Sequence, residues 1–247
     1  MSLHHARATT PARPASGAPM DPWLRMRMAP VRSRRPASDG ATVRAALRTI
    51  ASARPNPATL ALELRRVRAQ LDRERARLRG RLADGASADE IAQAEARLLD
   101  GTLIGLCHLA RRLLLRPAGM VPPLAVLALG DYGRRQLAPG VSAELLLLVA
   151  ADPLRRDQGL AMAQFVACAL AGLGWQASVA KRTVRGCFCE THLDPAIAAD
   201  LAAARRVWGC HGLFAELRAK LGQARRHDPA PAIRRLPQHR ADLALVA

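Results

Sequence analysis

The chain has 247 residues, half of them hydrophobic and only 3% aromatic, which suits one ordinary domain with extensions and a core of Leu, Ala and Val. Its net charge is +18, but Lys occurs only at Lys181 and Lys220, so 36 of the 38 basic residues are Arg, a skew that a GC-rich gene produces as readily as an anionic partner does. Dispersed arginines with a single tyrosine argue against a dedicated single-strand nucleic-acid binder, no apolar run reaches the ~18 residues of a membrane span, and five cysteines without a secretory leader argue against a disulfide framework and for the reducing cytoplasm.

Residues 1–42 are rich in Pro, Ser, Gly and Arg without periodicity and predict a disordered extension, although an Arg-rich, acid-poor start also imitates a transit peptide. A helical segment is expected over 43–85. Within it, Pro57 and the stripe Leu60, Leu64, Val67, Leu71, Leu78 and Leu82 predict one helix over 57–82. The stripe suits packing on the domain. As a coiled-coil seam it is interrupted at Glu74 and Arg75.

The domain proper is expected over 86–222, with a polar tail over 223–247. Ser87-Ala88-Asp89-Glu90 is a capping box opening a helix to about Leu115, which Pro117 and Gly119 stop. The run LAVLALG predicts a buried strand, Asp131–Leu137 a turn or short helix, and Ala143–Val149 a second strand. A helix over Gly159–Leu173, a third strand over Gln176–Arg182, a helix from the Asp194-Pro195 cap to about Trp208, and a helix from His211 to about Ala224 complete the order. The fold class is α/β or α+β, helix-rich, with a small mixed sheet between N-terminal and C-terminal helices.

Gly130 and Gly133 follow a strand directly. Such a turn exposes backbone N–H groups at the positive end of a helical turn, where phosphate binds well; alone it is a weak signal. The segment GDYGRRQLAPGVSAELLLLV resembles the start of the nucleotidyltransferase domain in the bifunctional uridylyltransferase/uridylyl-removing enzymes of the PII signal protein, which read roughly G-G-Y-G-R-G-E-L-x-P-x-S-D-x-D-L-L. Gly130, Tyr132, Gly133, Arg134, Leu137, Pro139, Leu145 and Leu146 agree. Downstream, Arg182, Asp194, Leu201, Ala204, Arg205, Gly209, Leu213, Phe214, Leu217 and Arg218 also agree, so that the resemblance covers about residues 58–220.

The resemblance implies a nucleotidyltransferase fold, with Gly130, Tyr132, Gly133 and Arg134 at the phosphates, Mg²⁺ as cofactor, and a nucleoside triphosphate and a PII-type protein tyrosine as partners. Two carboxylates at i and i+2 on a strand point to one side and hold the metal that orients the triphosphate. Here those positions are Ser142, a weak neutral ligand, and Glu144, a carboxylate one methylene longer. Asp131 replaces the second glycine of the turn, Arg135 and Gln136 replace a glycine and a glutamate, and Val179 replaces a third-strand histidine. Asp131 with Glu144 is a conceivable replacement pair. Cys187, Cys189, His192, Cys210 and His211 have the elements of a zinc site but not a usual zinc spacing, and Cys107-His108 lies among leucines.

The sequence therefore predicts a degenerate nucleotidyltransferase-like protein, inactive or weakly active, in which Glu144 and Ser142 are the remnants of the catalytic metal site and nucleotide or partner binding in nitrogen signalling persists. The alternatives are an active Mg²⁺-dependent enzyme transferring UMP to a PII tyrosine, and a basic nucleic-acid-binding or scaffold protein using residues 1–42. Nucleic acid is the less favoured partner, and no membrane association is expected.

Overall fold

A computed structural model describes residues 40–53, 55–115, 123–191 and 195–227. The extension before residue 40, the helix stop at Pro117 and Gly119, the capping residue Asp194, His192 and the tail after residue 227 lie outside the described residues. The elements run α1 (Ala41–Ala53), α2 (Pro57–Ala83), α3 (Ala88–Leu114), β1 (Leu124–Ala128), the one-turn α4 (Gly130–Gly133), β2 (Ala143–Val149), α5 (Pro153–Gly172), β3 (Ala177–Thr183), α6 (Val184–Thr191), α7 (Pro195–Ala203), β4 (Arg205–Gly209) and α8 (His211–His227). The protein is helix-rich around a small mixed sheet of order β3-β2-β1-β4. The β1–β2 and β1–β4 pairs are antiparallel and β2–β3 is parallel.

Alternation along the strands divides the side chains between two layers. Leu124, Val126, Ala128, Ala143, Leu145, Leu147 and Val149 join the larger core with α1, α2, α3 and α5. Ala125, Leu127, Leu146 and Leu148 join a smaller core with Val184, Leu201, Leu217 and Leu221 from α6, α7 and α8. Every residue of β1 is buried, which explains its unbroken apolar run. The helical segment before residue 86 shares the larger core, through Val43, Leu47, Ile50, Val67 and Leu71.

The Ser87–Glu90 capping box is complete, as the sequence predicts. Ahead of Pro57, Asn56 accepts from the Thr59 amide at 2.9 Å. Three segments differ from the sequence expectation. The helix from Pro195 ends at Ala203 instead of near Trp208, because Arg205–Gly209 pairs with β1 and closes that side of the sheet. The helix expected from Gly159 begins six residues earlier, at Pro153, where the Asp152 side chain accepts from the Arg155 amide at 3.0 Å. A further helix, α6, starts where Thr183 Oγ1 accepts from the Gly186 amide at 3.1 Å.

The polar helix α2 is held by arginines that reach the carboxyl end of α5. Arg68 donates to the Gly172 carbonyl at 3.2 Å and Arg75 to the Gly174 carbonyl at 3.3 Å, where unpaired carbonyls and the helix dipole favour cations. Arg75 also stacks over Trp175 at 4.1 Å and pairs with Glu95 of α3 at 3.4 Å. Helix α1 rests on a small-residue face of α3. A Cβ at Gly105 would stand 2.6 Å from Leu47 Cδ1 and 2.7 Å from its Cβ.

Gly105→Ala should destabilise the protein by up to about 2 kcal/mol in urea unfolding, since overpacking of about 1–3 kcal/mol is offset by a propensity gain of only about 1 kcal/mol. Gly80→Ala on α2, with nothing within 4 Å of the added methyl, should be stabilising by up to about 1 kcal/mol. Glu95 is buried, and its desolvation outweighs attraction to Arg75 and Arg79, so its pKa is raised above the usual 4.5. The folded state therefore keeps this proton to higher pH than the unfolded state. The Glu95 contribution to stability should fall as pH rises from the ordinary glutamate pKa through the raised one, and Glu95→Gln should remove that slope from a series of unfolding curves. A slope identical in the variant would refute the assignment.

Candidate functional site

The β1–β2 ladder sets the position of the glycine turn. Ala128 lies opposite Leu145, so the next residue, Leu129, donates its amide to the Glu144 carbonyl at 3.0 Å. The chain then turns through α4. Gly130 takes φ +52°, in the left-handed region that favours glycine. Its missing side chain leaves the Glu144 carboxylate room: a Cβ there would stand 2.6 Å from Glu144 Oε2. The amides of Gly133 and Arg134 close the turn on the carbonyls of Leu129 and Gly130 at 2.7 and 3.2 Å. Among the described residues, the amides of Gly130, Asp131 and Tyr132 donate to no backbone carbonyl, as in the first turn of any helix.

Glu144 is the one residue of β2 that is not buried. By alternation it shares a face with Leu146 and Leu148 and lies beside Ser178 of β3. Ser142, two residues earlier and half-buried, precedes the strand. The turn and these two positions thus lie at the same end of the sheet. Asp131 has another commitment: its carboxylate pairs with Arg134 at 2.5 Å, both side chains half-exposed. Val179 lies beside Leu145 and packs with the larger core, on the face opposite Glu144.

The donors here are one carboxylate, Glu144, and one hydroxyl, Ser142. Mg²⁺ in phosphate chemistry sits on one or two carboxylates with near-ideal octahedral geometry, and a two-metal clamp needs more. The donor set does not fit a paired metal site. No group of three or more His, Cys, Asp or Glu side chains able to hold a metal assembles among the described residues. Of the cysteine cluster, Cys187 is buried with Val184 and Leu201 in the smaller core, and Cys210 is half-buried. Cys107 is fully buried, which pushes its thiol pKa far above the usual value, so it is no nucleophile. His108 packs edge-on against Trp208 at 5.8 Å.

The Tyr132 side chain turns inward. It is 1% exposed, and its hydroxyl donates to Asp100 Oδ1 of α3 at 2.6 Å. Arg205, the first residue of β4, donates to both Asp100 oxygens at 2.9 Å. It also donates to the backbone carbonyls of Gly133 and Tyr132, each at 3.3 Å, and its guanidinium lies 5.2 Å from the Tyr132 ring centre. Burial and the Asp100 charge hold the Tyr132 pKa well above its usual value, so the ring stays a neutral donor. Asp100 was not singled out by the sequence reading. The one signal was a carboxylate following Leu98 and Leu99 in an apolar helix, since a buried charge needs a partner.

Arg135 takes φ +62°, alone among non-glycine residues described, at the position where the resembled pattern has glycine. The arginine holds a left-handed backbone conformation that favours glycine, at a strain of about 1–2 kcal/mol. A separate groove of about 430 Å³ lies between α2 and α5, lined by Leu64, Arg68, Phe165 and Ala169 among others, and includes no residue of the turn.

No protein-family model matches the chain. Three curated relatives are bifunctional uridylyltransferase/uridylyl-removing enzymes. The one from Thiobacillus denitrificans is 32% identical over 148 residues, 60% of this chain and 16% of the relative. That from Idiomarina loihiensis is 33% identical over 101 residues, 40% of this chain and 11% of the relative. That from Burkholderia vietnamiensis is 28% identical over 166 residues, 66% and 17%. A solved toxin–antitoxin with AMP-PNP matches 43% of this chain and 78% of its own at 14% identity, with a TM-score of only 0.29. No helix among the described residues is long and apolar enough to cross a membrane. The chain spans less than a fifth of the length of these relatives, and over that stretch it is a partial, distant relative of the bifunctional uridylyltransferase/uridylyl-removing enzymes.

Proposed function

We propose that this chain is a nucleotidyltransferase-like domain that binds a nucleoside triphosphate at the Gly130–Gly133 turn and transfers little or none of it. The observation that carries this reading is the contrast at the end of the sheet. The turn has three amides that donate to no backbone carbonyl among the described residues, while Glu144 and Ser142 stand where the resembled pattern has two carboxylates. Backbone amides need no metal to attract phosphate. Activating an attacking hydroxyl and steadying a leaving pyrophosphate do need correctly placed cations. Binding can therefore outlast transfer.

The relatives suggest uridine triphosphate as the nucleotide and a PII-type signalling protein as the partner, which would place the chain in nitrogen signalling within the cytoplasm. Mg²⁺ enters only as a companion of the triphosphate, bound through Glu144 without a second protein carboxylate.

The test is titration with UTP, with and without Mg²⁺, alongside an assay for labelled UMP on a PII protein. Saturable UTP binding that changes little on adding Mg²⁺, without label transfer, is the expected result. Replacing Ser142 by Asp should increase Mg²⁺-dependent UTP affinity at least about tenfold, or ~1.4 kcal/mol, by returning the second carboxylate. Mg²⁺-dependent transfer by the unaltered chain, lost in Glu144→Ala, would overturn the inactive reading. Absence of UTP binding under both conditions would overturn the nucleotide reading.

A further inference from the structure

We propose that the groove between α2 and α5 is a docking site for an acidic, amphipathic helix of a partner protein, which sets an apolar side chain against Leu64 and Phe165 and a carboxylate on Arg65. The groove includes no residue of the glycine turn, so the proposal stands or falls apart from the nucleotide reading.

The groove follows from the way α2 is anchored. Arg68 and Arg75 tie α2 to the carbonyls of Gly172 and Gly174 at the carboxyl end of α5, and Arg75 stacks on Trp175 there. Before Arg68 the facing positions are small. Ala61 on α2 and Ala169 on α5 do not fill the space between the helices, and a volume of about 430 Å³ stays open. Leu64 and Phe165 line it, and each is only half-buried. Two helices side by side with an apolar floor form the seat of helix-in-groove recognition, where a third helix inserts apolar side chains three or four residues apart.

Charge decides the occupant. Helix α2 carries eight arginines against three carboxylates, and α5 carries no charged residue from Gln158 to Gly172. Of the two arginines that line the groove, Arg68 is engaged with the Gly172 carbonyl. Arg65 is exposed and has no hydrogen bond or ion pair among the described residues. The carboxylate nearest to it in sequence, Glu63, is taken by Arg66 at 2.5 Å. A second copy of this chain would bring an arginine-rich helix against its like, and such juxtaposition is repulsive. An acidic helix meets complementary charge and an apolar seat together, and a planar guanidinium takes a carboxylate with two parallel hydrogen bonds.

The test titrates the full chain into a fluorescent synthetic helix with Leu at i, i+4 and i+7 and Glu on both flanks, read by anisotropy. Saturable one-to-one binding is expected. Probes with Lys in place of Glu, or Ala in place of Leu, should bind at least about tenfold more weakly. Arg65→Glu reverses the charge and Ala61→Phe fills the groove, and each should weaken binding of the acidic probe by at least about tenfold. Arg73→Glu, the same charge change on α2 outside the groove, should weaken it less than about threefold. All three positions are exposed, so the melting temperatures should stay close to that of the unaltered chain. Equal binding of either altered probe, an equal loss in Arg73→Glu, or no binding below about 1 mM would overturn the proposal. A photo-cross-linker in place of Leu62, next to Ala61 and exposed, should join the chain to the acidic probe. Cross-links to a second copy, or to residues 228–247 of the same chain, that persist under saturating probe would give the groove another occupant and overturn it as well.

Discussion

The bidentate pair between Arg205 and Asp100 is the contact on which the arrangement of this protein turns. It joins the central helix, the last strand and the glycine turn at one point, with Arg205 donating to Asp100 and to two carbonyls of the turn. Both side chains are about four-fifths shielded from solvent. A charge in that position is tolerable only with its partner present, and removing one member of such a pair leaves the other stranded. The joint is therefore cooperative: α3, β4 and the turn keep their relation together or lose it together.

The sheet supplies the second constraint. Its strands are short, and β1 is buried along its whole length between two helical layers. A half-buried carboxylate on such a sheet is out of keeping with its neighbours, and Glu144 is the only residue of β2 in that position. It lies where β2 passes Gly130, with its oxygen within close reach of that glycine. The geometry that brings a carboxylate to the turn is thus a consequence of the β1–β2 register. It survives whether or not the carboxylate still has a metal to hold.

Much of this was legible in the sequence, and the parts that were not share a physical cause. The second strand falls at Ala143–Val149, as its apolar run predicts, and α2 and α3 begin at their caps. These elements are written locally, in a cap, a stripe or a run. Strand β4 is not. Arg205–Gly209 follows an alanine-rich helix and carries two arginines, and only pairing with β1 makes it a strand. Helix α1 likewise depends on a partner, since Val43, Leu47 and Ile50 form a short stripe whose seat is the glycine face of α3. At the site, Glu144 and the glycine turn could be read from spacing. The inward role of Tyr132 and the importance of Asp100 could not, because their meaning comes from an arginine over a hundred residues from Asp100.

The differences from the resembled pattern follow the same division. The resembled pattern has glycine where Arg135 stands, and the backbone there turns through φ +62°. An arginine accepts that conformation only when surrounding contacts impose it, and the contacts at hand are the closure of the Gln136 amide on the Asp131 carbonyl at 2.8 Å and the pinned carbonyls just before it. Among the positions that differ from the resembled pattern, Asp131, Arg135, Ser142 and Glu144 are not buried, and Arg134, exposed as well, agrees with it. Tyr132, buried against Asp100 and Arg205, agrees with the pattern, as does Arg205. A turn held from behind through two carbonyls and the Tyr132 ring owes its form to α3 and β4 rather than to the side chains it presents.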